Sequence, residues 1–513
     1  MSRTAPRLVD RMLAGDGPNS QHPLDGVSIA ALAYLGLPAL IFLATWLRLP
    51  FALFALTLAG TAIWSALRYI HIEWRSAHSV AAIALIALTG MAWAALGGGS
   101  HFFYANPDWL VRDAVLADLT YSDWPPSYAF RDGAHYLLRS AIGFFLPIAA
   151  LGKLLGVEWL EKLVYAWTAL GTVIFLLLLP LPGRVGGRLL AALAIVVLFS
   201  GMDILGILVL HGQWPIFPLR LEWWTRFSYP SFSGQLLWAP NHALALWISA
   251  ALFYRHWKHA DFVPYLCLLL PVLPLVTPFA LPAMAPFLLL LAVDRVRSGE
   301  GFGRLPLLAI AVGLLVGGLF LRLLTLDIDA IPVRNVLQEG ISQAQDGGQE
   351  LLASYLVFVL MEFGVLSLVL VPLLRHSLGI AALSIAVLLA LPFAFYGPSN
   401  DLLLRVSTPP LVFLCILCLR VLIDGSQFLS RRHGMLIAVL LIGVPTAFNE
   451  LWRAATLRHV PADYSRTFVD TQKDGVLPAH YVGRLAQPLL VDLLRTPSLV
   501  PTQAERKKQL QAK

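Results

Sequence analysis

The chain has 513 residues, of which 58% are hydrophobic and only 13% are charged, and its formal net charge is +7 at pH 7. Soluble domains carry about 25% charged residues, whereas apolar runs of about 18 residues or more recur along this chain. The composition therefore excludes a soluble globular protein and predicts an all-α, polytopic transmembrane helical bundle. In such a protein an excess of Lys and Arg marks cytoplasmic loops, so the net charge does not indicate nucleic-acid binding.

The N-terminal residues 1–25 are predicted to be cytoplasmic. They contain Arg3, Arg7 and Arg11 but no short apolar stretch that ends at a small-residue cleavage site. Apolar runs at 26–46, 50–67 and 79–97 follow, and they open a transmembrane bundle over 26–448 with about 12–14 spans.

Three loops of the bundle are predicted to be extracytoplasmic, at 99–136, 211–235 and 326–350. The tail from 449 to 513 is also predicted to be extracytoplasmic. It is polar, and its few apolar clusters suffice for a small packed cap rather than an independent domain.

The segment 137–156 decides the topology. It is apolar but contains Arg139, Pro147 and Lys153. If it crosses the membrane, the "GRVGGR" loop at 183–188 lies on the extracytoplasmic side, and so do the later Arg-rich loops. If it dips in and returns, those loops lie inside, as the positive-inside rule requires. We therefore predict that 137–156 does not cross, which leaves about thirteen crossings.

A first polar island, "ANPDWLVRDAVLADLTYSDWPP", occupies residues 105–126. Asn106 and Pro107 suit a helix start, and we expect a surface helix that continues to about Leu119. Asp108 and Arg112 lie one turn apart on a common side, whereas Asp113 lies about 140° around from Asp108. An acid in the first turn also complements the helix dipole, so Asp108 has both a structural and a catalytic interpretation. Asp118 and Asp123 are expected to be solvated or capping residues.

A second polar island, residues 211–242, mixes aromatic side chains with hydrogen-bonding groups. Such a mixture is typical of an aromatic belt at the headgroup level, and also of a sugar-binding surface. Its candidate residues are His211, Arg220, Glu222, Trp223, Arg226, Gln235, Asn241 and His242. Just upstream, Asp203 lies inside an apolar run, where a carboxylate is by default a functional candidate.

A third island, "FYGPSNDLLLRVSTPP", spans residues 395–410. Asp401 could pair with Arg405 four residues later. Arg405 lies within an apolar segment, where an unpaired guanidinium is costly, so it could equally hold a phosphate or pyrophosphate. Glu362, inside another apolar run, also requires a partner. Cys267, Cys415 and Cys418 lie in apolar segments and are expected to be small buried hydrophobes.

The sequence contains no P-loop, no nucleotide-binding glycine fingerprint, no H-E-x-x-H and no G-x-S-x-G. ATP-driven transport and metalloprotease mechanisms of those types therefore lose support.

The order of these elements resembles the GT-C superfamily of membrane-embedded glycosyltransferases, which use polyprenyl-phosphate-linked sugars. The likeness covers most of residues 80–425 and rests on "NPDWLVRDAVLADLTYSDWPPSY", "FSGMDILG", "LLWAPNHALA" and "SNDLLLRVSTPP". The chain departs from the usual pattern in that two extra apolar segments precede the acidic loop, and Asp108 is followed by Trp109 rather than by Glu.

The resemblance implies an extracytoplasmic sugar transfer in a bacterial inner membrane, with a lipid-linked sugar as donor and an envelope acceptor. It gives Asp108 the role of catalytic base, with Asp113 second. It gives Arg405, Arg220, Arg226 and Arg112 to the donor phosphate. It gives the sugar or acceptor to His211, Glu222, Trp223, Gln235, Asn241, His242 and Asp401. A divalent cation is compatible with these acids but is not demanded by them.

Two other classes of function remain open from the sequence. One is a transporter or flippase for a lipid-linked or polar solute, with Asp203, Glu362 and Arg405 along its pathway. The other is a non-catalytic scaffold for envelope assembly. Polar groups that cluster at the outer leaflet would favour the transferase, whereas a line of polar groups to the membrane midplane would favour transport.

Overall fold

The computed structural model describes residues 24–67, 72–73, 77–129, 135–139, 141–259, 262–299, 307–331, 333–335, 347–396, 400–423, 430–472 and 480–511. The predicted cytoplasmic Arg3, Arg7 and Arg11, and much of the predicted loop 326–350, lie outside these residues.

The described chain is nearly all helical. In chain order the helices are α1 Gly26–Thr45, α2 Leu49–Leu67, α3 Val80–Ala95, α4 Asp108–Tyr121, α5 Leu146–Leu155, α6 Leu160–Leu178, α7 Gly187–Val197, α8 Asp203–His211, α9 Phe232–Trp238, α10 Pro240–His256, α11 Val263–Leu269, α12 Ala280–Ser298, α13 Leu307–Leu324, α14 Gly347–Val359, α15 Val365–Leu370, α16 Leu378–Ala390, α17 Asp401–Val406, α18 Thr408–Ile423, α19 Arg431–Thr456, α20 Pro488–Leu493 and α21 Gln503–Gln511.

Seven helical segments are long and apolar enough to cross a bilayer. They are Gly26–Thr45, Leu49–Leu67, Val157–Leu178, Leu307–Leu324, Leu351–Leu373, Asp401–Ile423 and Arg431–Thr456. Shorter apolar helices lie among them. The chain is therefore a multi-pass membrane protein, as its composition predicts.

Several helices are interrupted in ways that the sequence explains. Pro271 and Pro274 turn the end of α11 into a 3-10 segment, Leu270–Leu275, before α12 begins. The apolar run at 187–210 is divided into α7 and α8 by an irregular stretch at 198–202. A π-helical turn, Leu360–Gly364, joins α14 to α15. Such turns are frequently found at functional sites.

Hydrogen bonds between helix ends define two faces of the bundle. At one face, which we call the cap face, Arg495 N donates to Trp46 O at 2.9 Å and Arg48 Nε donates to Leu494 O at 3.0 Å. At the opposite face, Ser79 N donates to Gly183 O at 2.8 Å and Tyr265 Oη donates to Ala66 O at 3.2 Å. The start of α1, the end of α2 and the end of α6 all lie at this opposite face.

The cap face carries α4, the C-terminal tail and a small mixed sheet. The strands of the whole described chain are β1 Leu24–Asp25, β2 Ile72–Glu73, β3 Pro126–Ala129, β4 His135–Leu138, β5 Val333–Asn335, β6 Ala394–Tyr396, β7 Val482–Arg484 and β8 Ser498–Leu499. Strands β1 and β2 pair with each other, as do β5 and β6, and the other four form the cap sheet. The cap sheet has the order β7-β4-β3-β8, so the tail supplies both of its edges. Strand β3 pairs antiparallel with β4 (Tyr128 opposite Tyr136) and parallel with β8.

The segment 137–156 starts and ends at the cap face. It leaves β4 beside β7, where Arg139 Nε donates to Val482 O at 3.2 Å. Near its end, Lys153 Nζ donates to Thr120 O in α4 at 3.1 Å. Helix α5 between these points is only ten residues long, so the chain reaches α6 without having changed face.

Candidate functional site

A cavity of about 640 Å³ lies at the cap face and is the point where the predicted polar islands meet. Residues from α4, α10, α13, α17 and the tail line it. Its charged and hydrogen-bonding lining residues are Asp108, Arg112, Arg139, Asn241, His242, Thr325, Tyr396, Asp401, Arg405, Gln472, His480 and Tyr481. The cavity also has an apolar wall that includes Phe279, Leu321 and Leu324. Three arginines face two aspartates, so the fixed charge favours an anion.

The N-terminal turn of α4 supplies the first acid–base pair. Asn106 Oδ1 accepts the Asp108 amide at 3.0 Å, which starts the helix at the predicted place. Arg112 Nη2 lies 3.4 Å from Asp108 Oδ2, as the i,i+4 spacing predicts. The Asp108 side chain is 51% exposed, whereas that of Arg112 is 8% exposed. Arg112 Nη1 is buried without a hydrogen-bond partner.

Helix α17 supplies the second pair. Asn400 adopts a left-handed conformation (φ 53°), and its side chain accepts the Leu403 amide at 3.4 Å, which begins α17. Arg405 Nη2 lies 3.8 Å from Asp401 Oδ1, a long contact that leaves Arg405 Nε buried without a partner. Each half of the cavity thus has a guanidinium nitrogen without a hydrogen-bond partner. Such a group can donate a charge-assisted hydrogen bond to a bound oxyanion.

The start of α10 lies between these two pairs. Pro240 occupies the first helical position, so Asn241 and His242 project from the first turn. His242 Nδ1 lies 2.9 Å from Thr277 Oγ1. Asn241 Oδ1 is buried without a partner.

Six of the polar lining residues were not among the sequence candidates, namely Arg139, Thr325, Tyr396, Gln472, His480 and Tyr481. Arg139 is anchored by the carbonyl groups of Val482 and Leu324. Burial lowers the pKa of His480 and raises the pKa of Tyr481. Arg139 carried a signal, namely a cation in an apolar run. His480 and Tyr481 carried none, because only the pairing of β7 with β4 brings the tail to the cavity.

The other face of α4, which carries Asp113 and Asp118, does not line the cavity, and we call it the closed face. Asp113, the second predicted catalytic acid, lies 2.9 Å from His101 Nε2 and does not line the cavity. His101 Nδ1 is 2.7 Å from Val460 O. Burial opposes the charged imidazole, but the hydrogen bond and the charge of Asp113 outweigh it and raise the pKa of His101. Burial also raises the pKa of Asp113 itself.

Asp118 is fully buried, so the expectation that it is solvated or capping is wrong. Its carboxylate is bonded to Arg506 of α21, accepts the hydroxyl of Tyr128 at 2.6 Å and accepts the amide of Phe468 at 3.0 Å. Burial raises the pKa of Asp118 to about 6 against these partners. The Asp118 carboxylate therefore links α4 to the cap sheet and to the tail. No local sequence pattern indicates this arrangement.

Most of the second polar island folds its own segment instead of lining the cavity. The Arg220 guanidinium lies 3.4 Å from the Trp238 ring centroid and 5.4 Å from that of Trp223. His211 Nε2 contacts Trp224 O at 2.8 Å. Arg226 is exposed.

The remaining two candidates of this island are buried. Glu222 accepts the Ser231 amide at 2.9 Å, and Gln235 Oε1 accepts the Trp247 indole at 2.8 Å. Of the predicted set in residues 211–242, only Asn241 and His242 therefore reach the cavity.

The two intramembrane acids meet each other. Asp203 at the start of α8 is hydrogen-bonded to Glu362 of the π-helical turn. Trp224 Nε1 donates to Asp203 Oδ1 at 2.9 Å. The partner of Glu362 is thus another acid, Asp203. This residue directly follows the irregular stretch between α7 and α8.

The described part of the chain contains no group of three or more His, Cys, Asp or Glu side chains that could hold a metal ion. The cavity offers two separate aspartates, each with an arginine, so the divalent cation allowed by the sequence remains a prediction. Cys415 and Cys418 are buried in α18, as expected, whereas Cys267 is only partly buried.

No protein-family model, curated protein or solved structure matches this chain. Fold and site together define a class: a multi-pass helical membrane protein with a positively biased cavity under a small cap.

Proposed function

We propose that this protein is a GT-C-type glycosyltransferase of the bacterial inner membrane. It moves a sugar from a polyprenyl-phosphate-linked donor to an envelope acceptor at the extracytoplasmic face. The observation that carries the proposal is the convergence of Asp108, Arg112, His242, Asp401 and Arg405, from three separate segments, on one cavity with an apolar wall.

The cap face is the extracytoplasmic one in this proposal. Arg184, Arg188, Arg255 and Lys258 belong to the loops and helix ends of the opposite face, which the positive-inside rule assigns to the cytoplasm. Because α1 starts at that face, and because 137–156 begins and ends at the cap face, we infer about thirteen crossings and an extracytoplasmic tail.

The donor phosphate binds between Arg112 and Arg405. Both guanidinium groups are nearly buried, and each has a donor nitrogen without a partner. Charge-assisted hydrogen bonds of this kind are about twice as strong as neutral ones. Leu321 and Leu324 lie in the last turn of α13, at the cap face, and they give the first part of the lipid chain an apolar surface.

Asp108 is the catalytic base. Its side chain is half exposed, so water or an acceptor can reach it, and Arg112 lies beside it. The carboxylate takes the proton of the acceptor hydroxyl or amine as that atom bonds to the anomeric carbon. The bond from the anomeric carbon to the phosphate oxygen breaks, and the negative charge that develops on the departing lipid phosphate is stabilised by the two arginines.

The test is sugar transfer by the purified full-length protein, with labelled polyprenyl-phosphate sugars as donors and native envelope lipids and glycans as acceptors. Mass spectrometry of isoprenoid phosphosugars that co-purify with the protein identifies the donor. Asp108→Asn should abolish transfer without loss of folding. Asp123→Asn is the matched control, because Asp123 is an exposed acid of the same loop that does not line the cavity. Full activity of Asp108→Asn would remove Asp108 from the mechanism.

A transporter or flippase is the second candidate, and the Asp203–Glu362 pair is the observation that favours it. Carboxyl groups at a broken helix inside a bundle are typical of ion- and proton-coupled pathways. If the protein is a transporter, Asp203→Asn and Glu362→Gln should abolish solute flux in proteoliposomes. If it is a transferase, the same variants should retain sugar transfer.

A further inference from the structure

A second cavity, of about 650 Å³, lies within the helix bundle, away from the charged site. Helices α1, α2, α6, α11 and α13 line it, and four of these belong to the candidate membrane spans. Its wall is almost entirely apolar. Two lining hydroxyls are already engaged, since Tyr34 donates to Trp167 O at 3.3 Å and Tyr265 donates to Ala66 O at 3.2 Å.

The cavity lies toward the opposite face of the bundle. Its lining residues on α2, from Ala59 to Leu67, belong to the second half of that helix, and those on α13, from Val312 to Val316, belong to the first half. The end of α2 lies at the opposite face, and the end of α13 lies at the cap face, where Arg139 contacts Leu324 O. Both sets therefore lie in the half of the bundle away from the charged cavity.

A packed layer separates the two cavities. Phe42 and Phe320 are fully buried and meet edge to face, with ring centroids 5.1 Å apart. One turn away, α13 touches the 3-10 segment so closely that a Cβ atom on Gly317 would lie 2.6 Å from Pro271 Cβ. The two cavities share no lining residue, so we expect a lipid with its headgroup in the charged cavity to leave this groove unoccupied.

We propose that this groove binds one acyl chain of a phospholipid from the leaflet at the opposite face. Leaving such a volume empty would forfeit van der Waals contacts on all its walls, at a cost that grows with cavity volume. At this depth the surrounding solvent is hydrocarbon, and the two tyrosine hydroxyls of the wall already donate hydrogen bonds. The lining residues of α1 extend from Ile29 to Leu43, about 21 Å at 1.5 Å per residue.

That length exceeds half of the hydrocarbon core, which is about 15 Å. An acyl chain that hangs from the near headgroup layer can therefore lie along α1 and continue past the bilayer midplane. This proposal concerns a resident lipid, and it stands whether or not the protein transfers sugars.

The experiment is native mass spectrometry of the full-length protein, purified in mild detergent, with bound phospholipids counted and identified. Gly36→Leu places a side chain in the groove, and Gly60→Leu places the same side chain on α2 outside it. The pair is well matched, because an added Cβ at either glycine meets no atom within 4 Å. Wild type and Gly60→Leu should retain one phospholipid more than Gly36→Leu. Added phosphatidylglycerol should restore it to delipidated wild type but not to Gly36→Leu.

Three results would overturn the proposal: equal phospholipid retention in all three proteins, an isoprenoid phosphate as the lipid lost on substitution, or conversion of an oligomer to a monomer by Gly36→Leu with no change in bound lipid. If Gly36→Leu does not yield folded protein, Ala33→Phe fills the same groove from the next turn of α1 and decides between the same outcomes.

Discussion

The two faces of α4 carry the same residue types and have opposite characters. On one face, Asp108 and Arg112 contact each other loosely, are open to a cavity and leave a donor nitrogen without a partner. On the other face, Asp113 and Asp118 are buried; Asp113 contacts His101 and Asp118 contacts Arg506 of the C-terminal tail. The difference lies in access to the cavity, because Asp108 and Arg112 line it whereas Asp113 and Asp118 do not. We expect the first face to govern activity and the second to govern stability.

The largest effect expected concerns the closed face. Arg506→Ala removes the partner of Asp118 and leaves a buried carboxylate without its counter-charge, which should lower the free energy of unfolding by about 3–5 kcal/mol. Thermal unfolding of the detergent-solubilised protein measures this. Lys508→Ala, on the exposed side of the same helix, is the control and should change little. Equal stability of the two variants would contradict a structural role for the tail.

The next prediction compares two aspartates of α4 directly. Asp108→Asn should reduce the rate of sugar transfer about 100-fold or more, because general-base catalysis supplies about that factor, with little change in stability. Asp113→Asn should lower stability by about 1–3 kcal/mol through the weakened His101 contact. Transfer per folded molecule should stay near wild type. If the two variants exchange these effects, the assignment of the faces is reversed.

A smaller effect is expected for the phosphate contacts. Arg405→Lys keeps the charge but loses the fork of donors, and we expect the KM for the lipid donor to rise about tenfold while kcat changes less. Arg226→Lys is the matched control, because Arg226 was a sequence candidate for the same role and is exposed away from the cavity. A loss of thermal stability without a change in KM would make the Asp401–Arg405 pair purely structural.

The smallest effect is a pH dependence of the closed face. Because Asp113 raises the pKa of His101, the folded state holds that proton more tightly than the unfolded chain. This contribution to stability is complete below the unfolded pKa of about 6.5 and is lost as the pH rises through the raised folded value. Melting temperatures measured from pH 6 to pH 9 should fall in wild type. His101→Gln should show a flatter profile over the same range, and parallel profiles would rule out this linkage.

Helix α4 shows how far local pattern can reach. The prediction that it is a surface helix is wrong, because ten of its fourteen residues are buried. Its start at Asn106 and Pro107 and the contact of Asp108 with Arg112 follow from capping and from i,i+4 spacing. The contact of Asp401 with Arg405 follows in the same way. Which face of α4 would meet a cavity did not follow, because both faces carry acids. The apolar residues that seal one face come from the tail, some 350 residues later.

The sequence by itself determined that this protein lives in a bilayer, because a chain with so few charges and so many long apolar runs has no other solvent in which to fold. It also determined the helix starts and the i,i+4 ion pairs, which depend only on neighbours along the chain. The tertiary structure alone decided which charged side chains face the cavity, that the tail completes the cap sheet, and that the two intramembrane acids meet. Those are contacts between segments more than 100 residues apart, and no local periodicity or capping signal encodes such a contact.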